Sequence, residues 1–296
     1  MNNHPSKALC IVGLAYLEAY VPPDLPTPVP GTEVFVPDIQ LSIGGALNSA
    51  VVANAIGRNC TIACPLGGGL ADAAVRYRIS MPDGLNSLTW EGPDNPALSL
   101  VYGSTHDRAF ISKACWSALE SCPCLDRFDW IHVAGLPEAM HLEPQLNSAV
   151  IAGAKVSVSA SWQPDLLRKL ASRTDSFWDV LFLNELEAGF SSSINNSTEA
   201  YKSCAKVIVT TLGKAGAHAV VNSEEQEFSA PSLTSNIVNV TGAGDAFAAG
   251  FIAACIEDLG IQTSLEWGNR AAAFYISLND EERLKLTNSF RSRILE

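Results

Sequence analysis

The 296-residue chain is 47% hydrophobic and 17% charged, which suits one large α/β domain or two small ones with a sizeable core and excludes a disordered tail or peptide hormone. Its 19 basic and 31 acidic residues leave a formal charge of −12, so no broad positive field awaits a polyphosphate backbone, and nucleic acid is not an expected partner. The eight cysteines, at 10, 60, 64, 115, 122, 124, 204 and 255, form no CxxC pair and have no histidine at zinc-finger spacing. Such scatter is expected of reduced core thiols in a cytoplasmic protein.

A lysine ahead of "ALCIVGLAYLEAYV" imitates a secretory leader. Glu18 interrupts the run, no small-residue cleavage site follows, and no stretch reaches the eighteen or so uncharged apolar residues of a membrane helix. The run reads as a buried first strand over Ala8–Gly13 of a soluble protein. Six prolines then fall between Val21 and Gln40 in "VPPDLPTPVPGTEVFVPDIQ". Proline removes backbone donors, so this segment fits an extended flap or sheet edge outside the main core.

"NSAVVANAIGRN" reads as a helix ending near Gly57, and "CTIAC" as a short buried strand. "ALSLVYGSTHDRAFIS" has two β-like runs around a polar turn at Gly103–Asp107 and supplies the other half of a small lid. The expected lid therefore comprises about residues 16–40 and 97–113 of a single domain over 1–296. From Asp129 onward, "WIHVAG", "KVSVSA", "VLFL", "KVIVTTLG" and "HAVV" alternate with segments that can be helical. This alternation predicts an α/β fold with a mainly parallel central sheet flanked by helices. In such sheets ligands sit beyond the carboxyl ends of the strands.

"VTGAGDAFAAGFIAACIEDLG" is a loop feeding a helix over about Ala243–Leu259, with Gly260 as its stop. The first amides of a helix lack internal partners, and the helix dipole adds partial positive charge there. Gly242 and Gly244 bring no Cβ, so an anion approaches the bare backbone, and Asp245 stands within the same first turn. A carboxylate beside an anion cradle is well suited to accepting the proton of a hydroxyl that attacks a terminal phosphate. A plain glycine turn with Asp245 favoured by the dipole is the alternative. A dinucleotide fingerprint is excluded by Phe247 at the third glycine position, and a Walker loop by Ala215 after "LGK".

"TGAGDAF" resembles the second signature of the ribokinase-like, PfkB-type carbohydrate and nucleoside kinases. "GGALNSAVVANAIG" is similar to the family's N-terminal glycine signature, "PLGGGLADAAV" to its following segment, "VLFLNELEAGF" to its Asn-x-x-Glu motif and "VIVTTLGKAGA" to its nucleotide-side strand and turn. The motifs follow in family order over nearly the whole chain. The resemblance implies a ribokinase-like fold with a small β lid. It also implies an ATP- and Mg2+-dependent kinase acting on a hydroxymethyl group of a sugar, sugar acid or nucleoside.

By that resemblance Asp245 is the general base, with Gly242, Ala243 and Gly244 as the anion hole. Asn184 and Glu187 stand near Mg2+ and the phosphates, holding the metal through water; Asn-x-x-Glu is equally a capping box. Thr211, Gly213 and Asn269 fall on the nucleotide side. Asn48, Gly44 and Gly45 face the acceptor, and Glu18 grips its hydroxyls or is merely the exposed end of a strand. Tyr16 or Phe110 stacks on a nucleobase or simply covers the pocket. Three departures stand out: Ile43 replaces the usual first glycine, "SASWQ" (Ser159–Gln163) lacks the two charges of the family segment, and Asn239 stands where an Asp commonly precedes the glycine loop. The last puts a monovalent cation (K+) in question. A nucleoside kinase and a catalytically inactive sensor on the same fold are the alternatives, and lid edges allow a homodimer.

Overall fold

The computed structural model describes residues 7–22, 29–103, 108–173, 178–190, 201–221, 226–233, 236–286 and 289–295. Residues 104–107 of the turn predicted at Gly103–Asp107 and the prolines of 23–28 lie outside them. Among the described residues nine strands form the main sheet, in the order β13-β12-β11-β10-β9-β8-β1-β4-β5. They are β1 (Ala8–Val12), β4 (Asn59–Leu66), β5 (Asn86–Glu91), β8 (Trp130–Val133), β9 (Lys155–Ser159), β10 (Trp178–Asn184), β11 (Ala205–Thr211), β12 (Ala217–Val221) and β13 (Gln226–Ala230). β5 through β11 pair in parallel, and β12 and β13 close the other edge antiparallel.

The strand period of two sorts the core. Leu9 and Ile11 of β1, Val180 and Phe182 of β10, and Val207 and Val209 of β11 enter one apolar layer. Cys10, Val12, Leu181, Leu183 and Ile208 enter the other. Both faces are buried, so these strands read as continuous apolar runs. The first layer packs on α1 (Ala46–Ala55), α7 (Ala243–Ile256) and α8 (Gly260–Ile276); the second on α3 (Leu136–His141), α4 (Glu143–Ile151), α5 (Pro164–Ala171) and α6 (Glu185–Phe190). α2 (Leu70–Ser80) follows β4, while α9 (Asp280–Leu284) and α10 (Ser289–Leu295) end the chain.

α7 is buried almost all round and rich in Ala and Gly, which lets α8 approach closely. A Cβ on Gly250 would stand 2.6 Å from the Trp267 carbonyl. The helix stops at Ile256, short of the predicted Leu259, because Asp258 takes a positive φ of 56° in the turn. Gly260 opens α8 instead of closing α7.

A mixed four-stranded sheet, order β3-β2-β6-β7, is the lid: β2 (Ala15–Val21), β3 (Gln40–Gly45), β6 (Ala97–Gly103) and β7 (Arg108–Ala114). Residues 29–39 carry no strand, and the lid's second strand in chain order, β3, falls on Gln40–Gly45, directly ahead of α1. All eight cysteines are free thiols. Among the described residues no helix is long and apolar enough to cross a membrane.

Candidate functional site

α7 starts from Gly242, whose φ of 78° only glycine adopts easily. Space demands glycine there as well: a Cβ would stand 2.8 Å from Tyr275 Cε1 and 3.2 Å from Asn48 Nδ2. Of the three residues expected to cradle an anion, Ala243 turns its amide back onto the Val240 carbonyl at 3.2 Å. Gly242 and Gly244 are the better placed donors at this helix start.

Asp245, third residue of α7, lies half-buried beside this turn. Burial pushes its carboxyl up to about 6, against the Asn48 amide, which donates to Oδ2 at 2.9 Å and favours the anion. Ser49 Oγ donates to the Asp245 carbonyl at 3.2 Å. Tyr275 OH donates to Asn48 Oδ1 at 3.2 Å, which orients the amide so that its NH2 faces the acid. Asn48 sits inside the first turn of α1 and does not cap it.

Glu18, expected as a hydroxyl ligand or an exposed strand end, is 6% exposed in β2 and accepts from Tyr20 OH at 3.1 Å. Gly44 in β3 makes room for it: a Cβ at that position would lie 2.2 Å from Glu18 Oε1. Gly45, with φ 68°, lets the chain pass the Leu14 carbonyl into α1. Glu18 thus packs against Gly44 in the lid, Gly45 leads from the lid into α1, and Asn48 of α1 reaches Asp245 of α7.

The nucleotide-side residues gather elsewhere. Thr211, Gly213 and Asn269 line a cavity of about 730 Å³ together with Lys214, Ala243 and Gly244, a volume within the range of small-molecule sites. Asn269 is tied down, donating to the Ala230 and Pro231 carbonyls at 3.0 Å each. Asn184 and Glu187 exchange bonds as a capping box: Glu187 N donates to Asn184 Oδ1 at 2.8 Å and Asn184 N to Glu187 Oε2 at 2.9 Å. Asn184 stands in register with Thr211, which puts the box beside the cavity wall.

Among the described residues no three His, Cys, Asp or Glu side chains cluster to hold a metal ion. Glu187 is buried, and that burial raises its pKa. A carboxylate keeps lone pairs beyond its one cap bond, and Asn184 is exposed, so the pair fits an ion reached through water.

Sequence reasoning missed Glu138. It is 5% exposed in the first turn of α3, and a Cβ on Gly135 would stand 2.2 Å from its Oε2. Burial drives its pKa up to about 7, its own and the Leu14 amides oppose this, and the charge of Asp245 adds to it. Tyr16 is near enough to both carboxylates to feel them: burial raises its phenol, and the charges of Glu138 and Glu18 raise it further. An acid after a strand, next to Pro137 at a helix start, was the available signal. Phe110 is exposed on the lid. "SASWQ" turns Ser159 toward His132 Nε2 at 3.4 Å and sets Trp162 edge-on to Phe190. Burial keeps His132 itself neutral, down to about 3.

The profile of the pfkB family of carbohydrate kinases matches residues 102–280, more than half of the chain. Fructokinases of Salmonella thompson and Salmonella typhimurium are each 32% identical over 154 residues, 45% of this chain and 67% and 48% of theirs. The adenosine kinase of Sinorhizobium meliloti superposes with a TM-score of 0.76 at 16% identity, covering 93% of this chain and 95% of its own. The ribokinase of Cryptococcus neoformans var. grubii, solved with ADP, gives 0.76 at 14% identity over 98% and 99%. These two likenesses concern the ribokinase-like fold.

Proposed function

We propose, on the premise that this chain belongs to the pfkB family of carbohydrate kinases, that it transfers the terminal phosphoryl group of ATP to a hydroxymethyl group of a neutral polyhydroxylated acceptor, a sugar before a nucleoside. The observation that carries the reading is Asp245, held by Asn48 at the start of α7 between the lid surface and the 730 Å³ cavity. Above about pH 6 it is a carboxylate and takes the proton of the acceptor hydroxyl as the oxygen attacks phosphorus. Asn48 occupies Oδ2, which leaves Oδ1 for the acceptor.

The Gly242 and Gly244 amides, with the dipole of α7, face the charge on the moving phosphoryl group. Thr211, Gly213 and Asn269 border the nucleotide. Glu187 and Asn184 would hold Mg2+, and the ion would supply neutralisation of the phosphate charge. The lid covers the acceptor and excludes water, the competing nucleophile.

Neutrality follows from charge. Glu18, Glu138 and Asp245 are three acids around the acceptor side. Among the described residues two arginines are buried: Arg283 gives its donors to backbone carbonyls, and Arg78, which gives Nη2 to the Arg283 carbonyl and leaves Nη1 without a partner, is outnumbered by these acids. Hydroxyls donate well to carboxylates, whereas an acceptor carrying its own carboxylate meets repulsion.

ADP release with ATP and Mg2+ tests the reading across pentoses, hexoses, ketogluconate and nucleosides. Turnover on a neutral sugar supports it, preference for ketogluconate overturns the neutral acceptor, and preference for a nucleoside moves the enzyme to the second acceptor class. Saturable binding without acceptor-dependent ADP across the panel supports the sensor, for which the uncharged Ser159–Gln163 segment speaks. A lid-paired homodimer belongs to the same proposal: Leu41, Leu100 and Ile111 are exposed on the lid, and light scattering reads the mass.

A further inference from the structure

The loop ahead of α7 is held from behind by a guanidinium. Arg283 of α9 is 7% exposed. Its Nε donates to the Tyr275 carbonyl at 3.2 Å, Nη1 to the Thr241 carbonyl at 3.1 Å, and Nη2 to the Asn239 carbonyl. Its Cζ lies 4.3 Å from the centroid of the Tyr275 ring. α9 is fixed in turn: Asn279 and Glu282 form a reciprocal cap at 2.8 and 2.9 Å, and Arg78 Nη2 donates to the Arg283 carbonyl at 3.0 Å.

Three carbonyls from two chain segments converging on one positive charge are what a bare monovalent cation would require. A free K+ does not fit here, because one side chain already engages all three. Asn239 adds no negative charge to attract an ion; its Oδ1 accepts from the Thr241 amide at 2.9 Å.

The consequence reaches the anion hole through peptide planarity. In a trans peptide the C=O and the following N–H point in opposite directions. Arg283 holds the Thr241 carbonyl on its own side, so the Gly242 N–H points to the other.

We propose that Arg283 is the resident cation of this loop, a positioning residue that aims the Gly242 amide at the phosphate end of the bound nucleotide and makes the chain independent of added K+. The inference rests on the kinase reading above. Its test uses ADP affinity and the thermal midpoint, which need no acceptor, so failure to find acceptor-dependent turnover would sink that reading alone.

The full chain is measured in potassium chloride and in tetramethylammonium chloride of equal ionic strength. The parent binds ADP equally in both, with the same midpoint. Arg283→Ala loses about tenfold in ADP affinity in tetramethylammonium, the scale of a misaligned charge-assisted contact, and K+ or low guanidinium restores part of it. Arg283→Lys, which keeps the charge without the fork, falls between parent and alanine variant. Selective tightening of the parent by K+, unchanged ADP affinity in Arg283→Ala, or an alanine-like Arg283→Lys each overturns the assignment. If Arg283→Ala does not fold, the parent's salt comparison and the lysine variant still decide.

Discussion

Asn48 Nδ2 donates to Asp245 Oδ2 at 2.9 Å, so the first turn of α1 holds a carboxylate of α7 from 197 positions away in sequence. The bond favours the anion and opposes the burial that raises the acid to about 6. Asn48→Ala removes the opposing influence, and the Asp245 pKa rises further. The acid limb of kcat/KM against pH therefore moves to higher pH, and the loss of activity is larger at pH 6 than at pH 8. A limb that stays in place, or moves down, contradicts the role given to this amide.

Asp245→Asn separates catalysis from stability. Removing the base lowers kcat by about 10²–10⁴-fold. The same change stabilises the ligand-free protein at pH 8 by about 1–3 kcal/mol, because a pKa raised by about two units means that the buried anion destabilises the fold. The sign follows from linkage: stability linked to a raised pKa is fully present below the unfolded value and lost as pH rises through about 6. The gap between variant and parent midpoints, read by calorimetry, is thus large at pH 8 and closes below pH 6. Destabilisation at pH 8 would remove the burial argument.

Gly44→Ala tests the lid side. Its Cβ would overlap the Glu18 carboxylate, 2.2 Å from Oε1, in a strand that leads straight into α1. Either Glu18 swings aside or β3 shifts, and an acceptor gripped by Glu18 loses its alignment. Displacement on the ångström scale costs about 10²-fold in kcat/KM for the acceptor. KM for ATP stays as in the parent, because the nucleotide cavity draws on α7, α8 and β11.

Apolar runs such as "VLFL" and "KVIVTTLG" announced their strands because a parallel sheet buries both faces of each strand. The glycine turn ahead of Asp245 was equally legible, since bare backbone followed by an apolar helix has few other uses. β3 was harder: its glycines suit a turn as well as a strand, and only antiparallel pairing of Tyr16 with Gly44 and Glu18 with Ser42 decides between them. Gly260 misled because a positive φ serves a helix start as well as an end. Arg283 lay beyond reading: its contacts with Asn239 and Thr241 span 44 and 42 residues, and "NDEERLKL" shows only a charged helix.

Glu138 supplies the last test, because its burial places its titration at about 7, inside the working range. Below that pH it is a neutral acid able to donate to an acceptor oxygen; above it the group is an anion that only accepts. The acceptor KM of the parent therefore changes as pH passes through 7. Glu138→Gln imitates the neutral form in shape and donor capacity, so its acceptor KM is flat over the same range and matches the parent below pH 7 more closely than above. Stability carries its own sign: the raised pKa means stability is lost as pH rises through about 7, so Glu138→Gln has the higher midpoint at pH 8 and loses that advantage at pH 5. An acceptor KM in Glu138→Gln that tracks the parent across pH 7 would place Glu138 outside the acceptor contacts.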